Sequence, residues 1–409
     1  MHILLLTQWF DPEPTFKGLP FAKKLKELGH SVEVLTGFPN YPGGKLYNGY
    51  RVKLIKRENM VGIPVSRVPL YPSHNHSSIK RIGNYGSFSV SATLIGKFVV
   101  KTPDVIYVYH PPATIGLPAF VLSRMYKAPF VYDIQDLWPD TLGATGMMNN
   151  SIALTMLDGW CRWIYKQAAR IVVLSPGFKK ALINRRIPGH KIEVIYNWCE
   201  ESFLKPENPN ADLAKRLGFS GRFNILFAGN MGEAQALDAV LDAAAILENQ
   251  YPQIQFVLIG GGIAVRALKR KVNESQIGNV RFLNRRPFSE IGAVLNMADV
   301  LLVHLRKDPL FDITIPSKTQ AYMSVGKPIL MGVQGDASDI VTTACAGITC
   351  RPEDPLDIAS AVEQLYQMPT AKLGEMGQNG RRFYEKEMAL DVGVRKFVDI
   401  FQALTKKKG

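Results

Sequence analysis

Cysteine is scarce in this chain: four residues in 409, Cys161, Cys199, Cys345 and Cys350, none of them in a CxxC pair. That spacing argues against a disulfide framework or a zinc site and reads as a chain from a reducing compartment. Long apolar runs are also missing. The first residues, MHILLLTQWF, have no basic flank and too short an apolar run for a signal peptide, so they read as a buried strand. Ile82 to Gly96 is uncharged but carries Ser, Gly and Asn and is stopped by Lys97, which falls short of a membrane span. No Arg-Gly run, helix-turn-helix or RNP-type aromatic set is present, so nucleic acid is not the expected partner. No G-x-G-x-x-G follows the first strand; only Gly18 stands at the entrance of the first helix, as a ligand contact or as a plain helix-starting glycine. A nicotinamide dehydrogenase is therefore disfavoured.

What is present is a strong, uneven positive charge. Residues 1–200 hold 24 Lys and Arg against 12 Asp and Glu, a balance of +12, while residues 201–409 hold 25 against 23, a balance of +2. A basic first half fits an anionic membrane surface or a phosphorylated acceptor. Residues 38–82 read as a long irregular loop in which Arg51, Lys53, Lys56, Arg57, Lys80 and Arg81 alternate with tyrosines. They are either a solvated edge or a docking lip before an apolar helix at Phe88 to Val99.

The chain length predicts two domains. HILLLT, a loop, an amphipathic helix and SVEVLTG make a βαβ unit, and DVIYVYH, PFVYDIQD, RIVVLS and KIEVIYN continue the strands. The polar, Pro-containing segment after Tyr196 reads as a hinge. FNILFAGNMG, IQFVLIGGG, NVRFLNR and DVLLVHL then repeat the pattern, and a single long helix is expected over Met376 to Leu404. The expected fold class is α/β, two Rossmann-like doubly wound domains facing a central cleft. Its expected divisions are 1–199, a hinge at 200–219, 220–390, and a C-terminal helix with basic tail at 391–409.

Three strand ends and loops hold candidate chemistry. Asp136 lies at the carboxyl end of its strand, where it orients a hydroxyl, acts as a base, or caps the next turn. His110 ends another strand and is a binding or a structural residue; Asp133 reads as structural. In FDITIPSKTQAYMSVGKPIL (311–330), Pro316 precedes a helix with Ser317 as N-cap, Gly326 past its end, and Lys318 beside unpaired amides. That is an anion site or a surface helix with a solvated lysine.

GHSVEVLT (29–36), VIYN with Glu200 downstream, FAGNMG (227–232), IGGG (259–262), PSKTQAYMSVGKPIL (316–330) and AGITCRPED (346–354) occur in an order that resembles the GT-B nucleotide-sugar glycosyltransferases. The resemblance is to the large retaining family 4 of O-antigen, capsule and colanic-acid transferases, and in particular to its WbuB-like aminosugar branch. It implies a UDP-sugar donor held by the second domain and a polyprenyl-diphosphate-linked acceptor held by a membrane-facing first domain. The implied place is the cytoplasmic face of the membrane, with no cofactor and, lacking a D-x-D motif, no metal.

Carried over by position, the family's Gly-Arg and downstream Lys fall on Gly229, Asn230 and Gln235, so both expected phosphate-binding cations are absent. The diphosphate is then expected at Lys318, at amides around Gly232 and from Ser317 to Thr319, and at Arg306 or Lys307. The family's spaced glutamate pair falls on Ile313 and Ala321, leaving Asp312 as the nearest carboxylate. Its catalytic histidine falls near Gln135, leaving Asp136. A non-catalytic nucleotide-binding scaffold is the alternative these losses imply.

Overall fold

The apolar runs that read as strands assemble into two separate sheets in the computed structural model, which describes residues 1–73, 78–144, 148 and 150–406. The first sheet contains β1 (His2–Leu6), β2 (Ser31–Gly37), β3 (Lys56–Met60), β4 (Ile63–Val68), β5 (Val105–His110), β6 (Phe130–Ile134), β7 (Arg170–Val173) and β8 (Ile192–Val194). The second contains β9 (Phe223–Asn230), β10 (Ile254–Gly261), β11 (Val280–Asn284), β12 (Val300–His304), β13 (Ile329–Gly332) and β14 (Gly347–Thr349). The orders are β3-β4-β2-β1-β5-β6-β7-β8 and β11-β10-β9-β12-β13-β14. Every pairing is parallel except the β3–β4 hairpin. In both sheets the strand order reverses beside the first strand, between β1 and β5 and between β9 and β12. Ligands of doubly wound sheets bind outside the carboxyl ends at such a reversal.

Strands buried on both faces explain the unbroken apolar runs. Ile225 and Phe227 in β9 and Phe256 and Leu258 in β10 are fully buried, and the helix Leu237–Glu248 covers them with Leu237, Val240, Leu241 and Ala244. Each such large side chain contributes roughly 1.5–3 kcal/mol by leaving water.

The chain divides into one unit of Met1–Tyr196 with Gly393–Gly409 and a second of Asn197–Val392. The last helix, Leu390–Thr405, belongs mostly to the first unit, where Phe397 packs 5.3 Å from Phe21 and 5.5 Å from Tyr107. The single helix expected over Met376 to Leu404 is in fact three pieces: Thr370–Phe383, a π-helical turn Tyr384–Met388, and Leu390–Thr405. Ala389 is extended between them, with ψ 148°. The 38–82 segment also holds more order than its composition suggests, because Val61 and Gly62 at φ 53° and 76° turn the β3–β4 hairpin. Both residues with φ positive is the backbone of a tight two-residue hairpin, here without the usual Asn-Gly pair. Lys407 and Lys408 of the expected basic tail lie outside the described residues.

Candidate active site

In the second unit the carboxyl ends of β9 and β10 approach so closely that side chains are excluded. Gly260 pairs with Gly229, and a Cβ on Gly260 would lie 1.9 Å from the Gly229 oxygen. A Cβ on Gly262 would lie 2.3 Å from the Met231 oxygen. Gly229, Gly260 and Gly262 have φ of 144°, 141° and 149°, a region side chains disfavour. The FAGNMG and IGGG motifs are therefore one feature: two glycine turns laid side by side, leaving Gly229 and Asn230 exposed at the strand end.

The helix Ser317–Val325 is held against this end. The Tyr322 hydroxyl accepts the Ala228 N–H at 3.0 Å, and the Ser324 hydroxyl donates to the Leu204 carbonyl at 2.5 Å. Its start corrects one expectation: the N-cap is Pro316, not Ser317, and no side chain caps it. Ser317 is the exposed first residue of the helix. Thr319 is buried, with its N–H turned back to the Pro316 carbonyl at 2.8 Å and its hydroxyl without a partner. The Thr319 amide is thus not available to a ligand, whereas Ser317 and Lys318 retain the amides that begin a helix. Gly326, at φ 76°, ends the helix as expected.

Lys318 is half-buried, and its ammonium lies 4.7 Å over the Phe227 ring. Its Cε and Nζ lie 2.8 and 3.0 Å from where a Cβ on Gly229 would be. Among the described residues it has no carboxylate partner, and burial lowers its pKa to about 8. A desolvated cation without a carboxylate partner among the described residues, beside uncapped helix amides, is an arrangement suited to an anion.

The neighbouring loops are cross-linked through residues that motif reasoning passed over. His304, at the end of β12, is buried; its Nδ1 donates to the Gln235 carbonyl at 2.7 Å. Because Nδ1 must carry the proton, Nε2 is left to accept the Glu353 N–H at 3.2 Å. Burial lowers the His304 pKa. The Glu353 carboxylate takes the Lys307 N–H at 2.6 Å, and the Arg306 N–H donates to the Ala234 carbonyl at 2.9 Å. A histidine ending a strand at the sheet's reversal was the available signal.

Two expected phosphate contacts, the Gly232 amide and Arg306, prove to have partners within the protein. The Gly232 N–H is taken by Gln235 Oε1 at 2.8 Å, so that amide is not offered to a ligand. Gln235, in the family's lysine position, is a loop cap. The Arg306 guanidinium reaches Asp308 at 3.3 Å and stacks 5.7 Å over Phe311. Asp312 ends the short helix Pro309–Asp312, its carboxylate unpartnered among the described residues.

Gly18, His110 and Asp136 lie in the first unit, at the carboxyl edge of its sheet. Gly18 caps the helix Leu19–Glu27, but the Leu19 N–H already donates to Asp11 Oδ2 at 2.6 Å. A Cβ on Gly18 would meet that oxygen at 2.3 Å, so packing against Asp11 accounts for the glycine and corrects the ligand-binding expectation. His110 has no exposed surface and sits 5.6 Å from Trp138 and 5.5 Å from Tyr132, with both ring nitrogens unpartnered. Burial lowers its pKa to about 3, so it is a neutral core residue rather than a substrate contact. Asp133 is the buried hub expected to be structural: it accepts Lys17 Nζ and the Tyr107 hydroxyl at 2.6 Å each and Gln135 Nε2 at 2.7 Å.

Asp136 differs. It is half-exposed, no described residue pairs with its carboxylate, and burial raises its pKa. Burial also raises the phenols of Tyr41, Tyr85 and Tyr109, and the Asp136 charge adds to the effect in all three. Nearby, Glu13 fixes the loops after β1 and β2, accepting the Asn40 and Tyr41 N–H groups at 2.7 Å each. Burial pushes the Glu13 carboxyl up to about 7.

Two doubly wound units with these loops define a GT-B glycosyltransferase fold, and comparison with known proteins agrees. The family model described as "Glycosyl transferase 4-like domain" matches residues 19–198, and "Glycosyl transferases group 1" matches residues 222–368. The chain is a group 1 glycosyltransferase. It is 27% identical over 338 residues to WcaI of Escherichia coli K12, described as a colanic acid biosynthesis glycosyl transferase, covering 80% of this chain and 82% of WcaI. It is 26% identical over 275 residues to the Pseudomonas aeruginosa glycosyltransferase WbjE, covering 66% and 68%. Among solved structures, Anabaena HepE in complex with UDP aligns with a TM-score of 0.74 at 16% identity, covering 98% of this chain and 100% of that one. An E. coli trehalose-6-phosphate enzyme structure bound with UDP-2-fluoro glucose aligns at 0.74 and 11% identity, covering 98% and 99%.

Proposed function

We propose that this enzyme transfers an N-acetylated deoxyaminosugar such as N-acetyl-L-fucosamine from a UDP-sugar to a polyprenyl-diphosphate-linked acceptor in O-antigen or capsular polysaccharide assembly. The observation that carries the donor half of this reading is the unpaired Lys318 ammonium beside Gly229 and the uncapped amides of Ser317 and Lys318. A nucleoside diphosphate fits this cation and these amides, and the same contacts strengthen as the diphosphate leaves. HepE, a structural neighbour, was crystallised with UDP-glucose, which supports a UDP-sugar here. Asn230, exposed at the end of the strand beside Gly229, is the further polar group offered to the donor, and Asp312 is the nearest carboxylate in sequence to the Ser317 helix.

The acceptor belongs to the first unit. Asp136, unpaired and raised in pKa, orients the attacking hydroxyl and takes its proton as the bond to the anomeric carbon forms. The +12 balance of residues 1–200 favours an anionic surface, and we place the enzyme on the inner face of the cell membrane.

The test is a mass-spectrometric transfer assay with a panel of UDP-aminosugars and a GlcNAc-diphosphate-lipid. A product with one aminosugar donor supports the reading. No product with any nucleotide sugar, together with calorimetric UDP binding, would return the non-catalytic alternative raised by Asn230 and Gln235.

A further inference from the structure

The helix Ser78–Val99 is apolar on both sides, yet among the described residues only one side is covered. Inward, Tyr85, Phe88, Ala92 and Val99 are buried against the sheet. Outward, Ile82, Val90, Leu94 and Phe98 are 55%, 52%, 67% and 71% exposed. A helix apolar around its circumference is ordinarily buried around its circumference. Alongside runs a groove of about 440 Å³ between the helix and the Pro69–Leu70 segment, lined by Val90, Leu94 and Ile95. The two serines in it make no polar demand on a ligand. The Ser87 hydroxyl accepts the Tyr71 N–H at 2.7 Å and donates to the Asn84 carbonyl at 3.0 Å, and Ser91 donates to the Phe88 and Pro69 carbonyls.

Charge decides what covers this face. The helix carries Lys80, Arg81 and Lys97 and no Asp or Glu. The helix Gly116–Tyr126, packed against it, adds Arg124 and a half-exposed Met125, again with no acidic residue. Lys97 extends along the Phe98 ring, its ammonium 5.7 Å from the centroid. This is how a lysine buries its stem in an apolar layer and keeps its charge at the headgroups. No helix of the described residues is long and apolar enough to cross a membrane, so this one would lie on the surface.

We propose that the outward face of Ser78–Val99 docks on an anionic phospholipid leaflet, with Leu94 and Phe98 inserted, the groove seating an acyl chain, and Lys80 and Lys97 at the headgroups. This deepens the membrane contact in the proposed function and rests on that reading for its purpose, but its test does not depend on transfer.

The full chain is sedimented with vesicles of phosphatidylcholine alone or with phosphatidylglycerol. The expected result is binding that grows with phosphatidylglycerol, weakens in salt, and falls about tenfold or more in Leu94→Glu/Phe98→Glu. Lys80→Gln/Lys97→Gln should lose mainly the preference for phosphatidylglycerol. UDP binding should be unchanged in both variants, which controls for folding. Absent vesicle binding by the native chain, or equal binding by Leu94→Glu/Phe98→Glu, overturns the proposal. So does a native dimer that this variant dissociates, which would make the face a contact between copies. Transfer to a water-soluble, short-chain acceptor is followed in parallel: its absence sinks the aminosugar-transfer reading while leaving the vesicle result standing.

Discussion

The Lys318 ammonium sits 4.7 Å above the Phe227 ring, in the space that the missing side chain of Gly229 leaves open. The helix that carries Lys318 and the strand that carries Phe227 are thereby joined at one cation that has no carboxylate partner among the described residues.

Gly229→Ala should disturb that cation directly. Its Cβ would fall 2.8 Å from Lys318 Cε at a φ of 144°, so the lysine must move and the backbone is strained. The cost to stability is expected to be about 1–3 kcal/mol, read as a lower Tm. A donor KM several-fold higher should accompany it; a native KM would mean that Lys318 can shift without consequence.

Removing His304 should loosen the loops rather than the chemistry. In His304→Phe the Gln235 carbonyl and the Glu353 N–H lose their buried partner, at about 0.5–1.5 kcal/mol for each lost hydrogen bond, since both groups can turn to water. Thermal unfolding should show the loss. The donor KM should rise more than kcat falls, since the Gln235 side chain holds the Gly232 loop beside the proposed donor site.

How much of this could be read from the chain depended on sequence distance. Ten of the fourteen strands, the two doubly wound arrays and the glycine turns follow from local pattern, whereas β3, β4, β13 and β14, short or polar, do not; Lys318 was visible because a proline and a helix start flank it. The role of His304 was not, because its partners are 69 and 49 residues away and its position at a strand end does not name them. Gly18 misled for a related reason. The group that crowds it is the Asp11 carboxylate, placed there by a fold-back of the loop. The break at Ala389 was hidden because the residues on either side are good helix formers; the chain changes units there for tertiary reasons.

Acid should destabilise the protein through His110. The folded ring stays neutral down to about pH 3, whereas the unfolded ring protonates near 6.5. The unfolded state therefore binds more protons in that window, and stability falls as pH drops through it. His110→Phe should flatten denaturation midpoints measured between pH 7 and 4; an unchanged slope would place the acid sensitivity elsewhere.

Asp136→Asn should lower kcat by about 10²–10⁴, the range for losing a general base, while the donor KM stays put. Because burial raises the carboxyl, the acidic limb of the native pH–rate profile should lie above the ordinary carboxylate range and vanish in the variant. Survival of the limb would assign the proton transfer to another group.

The most direct test is calorimetric titration of UDP into the native protein and Lys318→Ala from pH 7 to 10. The native affinity should be highest below about pH 8 and decline as the lowered lysine loses its proton above it. Lys318→Ala should bind about 1.5–3 kcal/mol more weakly at pH 7 and lose that decline. Equal affinities at pH 7, or the same pH dependence in both proteins, would contradict the assignment of Lys318 to the donor diphosphate.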